Sequence, residues 1–159
     1  HAVAGGLRRP LVYNTGGYDS LDALRLLEGV VDIYMPDIKY SDEKTAGKHS
    51  IVKDYYARAK AAVKEMHRQV GDLVVEGGIA VRGLLIRHLV LPHGLAGADE
   101  VMRFIAQELS RDSYVNVMAQ YRPEHKAFRY PELSRRITSQ EHREALETAR
   151  RHGLWRFAD

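Results

Sequence analysis

The residues best placed for chemistry lie at the ends of short apolar runs. In Met35-Pro36-Asp37-Ile38-Lys39 an acid and a base stand two positions apart after a run rich in β-branched residues. Side chains alternate along a strand, so Met35, Asp37 and Lys39 share one face. An Asp and a Lys on one face suit a polar ligand: Asp37 accepts from ribose hydroxyls or binds a cation, and Lys39 pairs with a carboxylate. A purely structural pair closing the strand end fits the same spacing. Three more ends have comparable character: Tyr13-Asn14-Thr15-Gly16-Gly17, Arg87-His88-Leu89-Val90-Leu91-Pro92 and Met118-Ala119-Gln120-Tyr121-Arg122-Pro123. Thr15-Gly16-Gly17 lets backbone amides approach a ligand, but no Lys-Ser or Lys-Thr follows, so it is not a phosphate loop. Asn116, Met118 and Gln120 alternate with Val115, Val117 and Ala119, which directs the polar set toward a ligand or an internal network. Arg87 and His88 point to opposite faces, so one of them is inward.

Several chemistries are excluded or unsupported. The chain contains no cysteine, which removes disulfides, thiolate metal sites, a Cys nucleophile and a cysteine-held iron–sulfur cluster. His88, His93 and His125 lack the spacing of a metal site, and no Ser–His–Asp set or nucleophile elbow is present. Tyr13, Tyr18, Tyr34 and Tyr40 read as core or rim residues rather than base-stacking platforms.

The elements that would position these residues alternate strand and helix. Residues 11–14 read as a strand, and Ser20 as the cap of a helix burying Leu21, Leu24 and Leu27. Residues 30–35 form the next strand. The polar stretch 41–50 holds one short helical turn. A long helix over 54–70 carries the apolar stripe Tyr56, Ala59, Val63, Met66 and Val70. Residues 73–75 and 79–81 flank Glu76-Gly77-Gly78 as a hairpin. Residues 84–91 are the strongest strand, followed by a helix over 97–109 and a strand over 114–119. Thr138-Ser139-Gln140-Glu141 is a capping box opening a last helix, stopped at Gly153.

That is about four parallel βα units, short of the roughly 250 residues of a complete eight-unit barrel. The expected architecture is α/β, an open partial (β/α) barrel or a small doubly wound sheet. With 159 residues, 45% hydrophobic and 28% charged, the composition is that of a single soluble domain spanning 1–159. No run approaches the roughly 18 apolar residues of a membrane span, so no membrane association is expected. The net charge of +3 is scattered, which argues for a solvated face rather than a nucleic-acid surface.

The runs LVYNTGGYDS, VVDIYMPDIKYSD, GLLIRHLVLPHGLAG and YVNVMAQYRPEHKA resemble, in order and spacing, the later strands of radical S-adenosylmethionine (SAM) proteins of the pyruvate formate-lyase activating type. The resemblance covers the chain from about Leu7 onward. It implies the third to sixth units of a partial (β/α)6 barrel, with the first units outside this sequence. In that family a Cys-x3-Cys-x2-Cys loop holds a 4Fe-4S cluster. The cluster binds SAM, whose reductive cleavage yields a 5′-deoxyadenosyl radical; in activating enzymes this radical takes hydrogen from a glycine of a partner protein.

The family's Met-x-Asp-x-Lys strand matches Met35, Asp37 and Lys39. The resemblance therefore implies SAM contacts by Asn14, Thr15, Asp37, Lys39, Arg87 and Gln120. It also implies a monovalent cation held by the Met35 carbonyl, Asp37 and Thr15. Asn14 stands where the family has Asp, and Arg122 where it has a SAM-contacting His. The implied parent is a cytoplasmic oxidoreductase with SAM and a 4Fe-4S cluster as cofactors. Its partners would be a glycyl radical enzyme or other protein substrate and a reductant such as flavodoxin or ferredoxin. This chain by itself is expected to bind neither cofactor and to be inactive. Two other readings are a stand-alone ligand- or partner-binding β/α module and a small lyase- or isomerase-like β/α enzyme using Lys39.

Overall fold

Short runs rich in Val, Ile, Leu and Tyr become strands because both of their faces find partners or half-cover in a pleated sheet. The computed structural model describes residues 5–158. The strands are β1 (Val12–Thr15), β2 (Ile33–Pro36), β3 (Val74–Glu76), β4 (Ile79–Leu89), β5 (Tyr114–Met118) and β6 (Arg156–Phe157). The α-helices are α1 (Leu21–Leu27), α2 (Glu43–Ser50), α3 (Tyr55–Val70), α4 (Ala98–Phe104) and α5 (Ser139–Arg151).

The sheet runs β1-β2-β4-β5-β6, each strand parallel to its neighbour, with β3 antiparallel on β4. The order never reverses. Right-handed crossovers that always step the same way put their helices on one face, which excludes the doubly wound alternative. The burial pattern agrees. Tyr34, Ile86, His88, Val115 and Val117 are buried, while Met35, Leu85, Arg87, Leu89 and Asn116 on the opposite face are only partly covered. β1 and β6 end the path without pairing, so the barrel is open. Four βα units are present as expected, followed by a fifth parallel strand, β6, whose two residues were too few to read as a strand.

The stripe Tyr56, Ala59, Val63, Met66 and Val70 is buried along α3, as its spacing required. The hairpin also forms, with Gly77 and Gly78 at φ 57° and 83°, the left-handed pair that a tight two-residue turn needs. Its second strand does not stop. Residues 79–81 and 84–91, expected as separate strands, are one strand through Gly83. Gly83 has φ 115°, and a Cβ there would sit 2.4 Å from the Asp72 carbonyl oxygen, so only glycine lets the chain pass.

Other expectations shift for local reasons. Val30 and Val31 close the end of α1 by donating to the Leu27 carbonyl, so β2 starts later. Ser20 occupies the N-cap of α1, but its side chain makes no capping bond. In α1 only Leu24 is fully buried; Leu21 is exposed. The stretch 41–50 holds a full helix, α2, because Asp42 accepts from the Thr45 amide at 2.7 Å. The helix expected over 97–109 is α4 followed by a π turn, Ile105–Leu109.

In the tail after Arg122, α5 packs on α4 and β5, the Leu133 carbonyl accepts from Tyr121, and Glu132 pairs with Lys48 of α2. The capping box is as read: Thr138 Oγ1 accepts from the Glu141 amide at 3.1 Å, and Glu141 accepts from the Thr138 amide at 2.7 Å. Thr138→Ala should lower stability by about 1 kcal/mol, measured by denaturant unfolding; an unchanged midpoint would mean that the Glu141 half of the box suffices.

Candidate functional site

The strand ends meet because β2 continues past its last ladder residue. The Asp37 amide donates to the Thr15 carbonyl at 3.0 Å, and the Ile38 amide to the Arg87 carbonyl at 2.8 Å. The Lys39 amide donates to the Tyr55 hydroxyl at 2.9 Å. That hydroxyl lies 3.3 Å from both the Gly16 and Asp37 carbonyl oxygens, so it ties the Thr15-Gly16-Gly17 turn to the end of β2. Burial pushes the Tyr55 phenol up to about 12, which keeps it protonated as a donor. Gly17 closes the turn at φ 78° and rests on Asp37: a Cβ there would lie 2.1 Å from the Asp37 carbonyl oxygen.

As the alternation predicted, Met35, Asp37 and Lys39 share the face away from the helices, whereas Pro36, Ile38 and Tyr40 are buried. Asp37 is not free, however. Its Oδ1 accepts from Arg87 Nε at 2.7 Å, and Arg87 Nη2 is 2.6 Å away. Arg87 Nη2 also donates to Asn14 Oδ1 at 2.7 Å. Lys39 Nζ stands 3.6 Å from Asp37 Oδ2. The Asp37 and Arg87 side chains are 15% and 22% exposed, that of Lys39 42%. Two cations thus share one carboxylate, and the more exposed Lys39 ammonium is open to a ligand anion.

Asp37, Lys39 and Arg87 line a cleft of about 400 Å³ whose other wall includes Leu89, Met118, Gln120 and Arg122. Asp37, Lys39, Arg87 and Gln120 are therefore brought together in it, and Asn14 is joined to them through its bond to Arg87. Thr15 is drawn elsewhere: its hydroxyl donates to Asp19 at 2.6 Å and accepts from the Gly17 amide. The positive charges beside Asp37 are those of Arg87 and Lys39. Among the described residues no cluster of three or more His, Asp or Glu could hold a metal ion.

Sequence reasoning missed Tyr55 and Asp19. Tyr55 opens α3, and its hydroxyl reaches across 39 residues of sequence to Gly16, with no local signal. Asp19 could have been suspected from its place four residues after Thr15, the separation of their hydrogen bond. His88 lies on the helix side of the sheet, opposite Arg87, and is fully buried.

The fold and cleft define a class: a singly wound, open β/α barrel whose strand carboxyl ends present a cationic cleft around one carboxylate. No family model matches the chain. It is 36% identical over 146 residues to an uncharacterized protein of Methanocaldococcus jannaschii, a match covering 91% of this chain. The chain spans only 39% of that relative's length. Its structure is similar to the crystal structure of a domain of pyruvate-formate lyase-activating enzyme from Bacteroides vulgatus. The TM-score is 0.59 at 11% identity, covering 86% of this chain and 72% of that one. This likeness shows the shared open β/α fold. Among the described residues no helix is long and apolar enough to cross a membrane.

Proposed function

We propose that this chain forms the SAM-binding later strands of a radical SAM protein of the pyruvate formate-lyase activating type, and that the 4Fe-4S cluster is held by a segment outside the chain. The observation that carries the reading is the convergence of Asn14, Asp37, Lys39 and Arg87 at the carboxyl ends of adjacent parallel strands. The sheet that presents them has the same open form as a domain of such an enzyme.

The residues present fit SAM and do not fit the cluster. With no cysteine in the sequence, no thiolate is available for iron. For SAM, Lys39 offers an ammonium to the carboxylate. Asp37, held in place by Arg87, offers its remaining oxygen to ribose hydroxyls, and Gln120 offers an amide on the facing wall of the cleft. A charge-assisted hydrogen bond from Lys39 contributes about 1.5–3 kcal/mol. Bound beside a reduced cluster, SAM supplies a carbon-centred radical. What this chain does is orient the SAM carboxylate and ribose, with Asp37 held in place by its pairing with Arg87. A protein substrate such as a glycyl radical enzyme and a flavodoxin- or ferredoxin-type reductant complete the proposed activity.

Two measurements test the reading. Anaerobic reconstitution of this chain with iron and sulfide should leave no bound cluster; iron and sulfide at cluster stoichiometry with a charge-transfer band would overturn the division of labour. Calorimetric titration of SAM into the protein that carries this chain with its cysteine segment should show binding that depends on Lys39. Binding indifferent to Lys39 would remove the site from the proposal.

A further inference from the structure

A second pocket adjoins the charged cleft. Its volume is about 600 Å³, and it is lined by Ala119, Gln120, Tyr121, Arg122, Arg136 and Ile137. Gln120, Tyr121 and Arg122 line the cleft as well, so the two spaces are continuous. One wall is the chain that runs on from β5, and the other is the chain that leads into α5. Both walls are held in place. The Tyr121 hydroxyl donates to the carbonyl of buried Leu133 at 2.8 Å, which ties the first wall to the segment leading into the second. Arg135 donates to both carboxylate oxygens of Glu141 at 2.8 and 2.9 Å, and Ile137 packs against the core. Arg136 therefore sits between two anchored neighbours.

The charge of this pocket is of one sign. Arg122 and Arg136 line it, and no Asp or Glu does. Two acids close to Arg136 in sequence are already engaged, Glu132 by Lys48 and Glu141 by Arg135, and among the described residues Arg136 makes no ion pair. Arg122 pairs with Glu124 at 2.9 Å, but the two side chains are 67% and 68% exposed. A pair so open to water is weak, and a better acceptor displaces it. The segment joining the walls adds exposed Lys126, Arg129 and Phe128. Guanidinium groups match a carboxylate through two parallel N–H···O bonds. Ala119, Gln120, Arg122 and Arg136 are all exposed, so the pocket is an open groove. A small-molecule site encloses most of its ligand; an open groove suits a segment of a larger molecule.

We propose that this groove receives an acidic peptide segment, with carboxylates paired to Arg122 and Arg136, and thereby holds a protein substrate with its neighbouring residues beside the SAM cleft. That the partner is the substrate rests on the SAM reading; that the groove takes an acidic segment does not.

The test is titration of the chain with a Glu-Gly-Glu-Gly-Glu peptide capped at both ends. Its Gln counterpart, citrate and inorganic phosphate are the comparisons. The dissociation constant and the Nε–H signals of Arg122 and Arg136 are the readouts. The Glu peptide should bind saturably and move both signals. Arg136→Gln should weaken it about tenfold, the loss of one charge-assisted pair. Arg143→Gln removes the same charge at an exposed position of α5 outside the groove and should leave binding within about twofold. In the whole protein Arg136→Gln should not change SAM affinity, because Arg136 does not line the cleft. Peptide binding in a protein that does not bind SAM would sink the SAM reading and leave the acidic-segment site standing; SAM binding without peptide binding would sink this site alone. The site is also overturned if the Gln peptide binds as tightly as the Glu peptide, if citrate or phosphate binds more tightly and moves the same signals, or if Arg136→Gln and Arg143→Gln weaken binding equally.

Discussion

Gly17→Ala is expected to destabilise the protein by about 3 kcal/mol or more and to remove SAM binding by the whole protein. Gly17 has φ 78°, and the added methyl would fall 2.1 Å from the Asp37 carbonyl oxygen. The left-handed backbone alone costs a residue with a Cβ about 1–2 kcal/mol. The overlap is with main chain, which no rotamer change relieves, so the turn must leave the end of β2. The Tyr55 hydroxyl would then lose its simultaneous hold on Gly16 and Asp37. For a chain of this size the melting temperature should drop by about 10 °C. Gly83→Ala is the matched comparison: its methyl would meet the Asp72 and Leu73 backbone, far from the turn. It should cost comparable stability while the folded fraction still binds SAM. Equal loss of binding in both variants would mean that Gly17 acts through stability alone.

Lys39→Ala is expected to weaken SAM binding by roughly ten- to a hundredfold, at about 1.4 kcal/mol per decade, with little change in melting. The Lys39 side chain is 42% exposed and 3.6 Å from Asp37 Oδ2, so the pair contributes little to folding. Asp37→Asn should weaken SAM binding to a similar degree but behave differently in the melt. In the structure Asp37 anchors a part-buried Arg87, which also holds Asn14. Losing that charged acceptor should cost about 1–2 kcal/mol. Calorimetric affinity alongside a melting curve separates the two. If Lys39→Ala binds SAM normally, the cleft has been assigned the wrong ligand.

What could be read in advance followed from period and turn chemistry. Alternation placed Met35, Asp37 and Lys39 on one face and set Arg87 opposite His88, because a strand offers only two directions. The stripe on α3 and the Thr138–Glu141 box were legible because their signals lie within one or two turns. The Asp37–Arg87 pair was not, since it depends on which strand lies beside β2. Nor was the direction of the Thr15 hydroxyl, which a carboxylate one turn away captures. The continuity of β4 was hidden by Gly83, which reads as a break in a sequence and is here the residue that lets the strand run on past Asp72. Two-residue β6 has no pattern of its own; it exists because β5 presents an unpaired edge.

β2 and β4 run in one register: Ile33 faces Gly83, Tyr34 faces Leu84, and Asp37 bridges Arg87, each a separation of 50 residues. This pairing has a kinetic meaning. Closing a long loop is entropically slow, and parallel pairing is rewarded only after α3 has formed and docked. The carboxylate and guanidinium of the cleft therefore meet late, after the hairpin and helices have organised locally. A chain emerging from synthesis carries Asp37 well before Arg87, and the two remain strangers until the register is found. The cleft thus comes into being together with the completed sheet, and a partly folded chain offers a ligand only scattered charges.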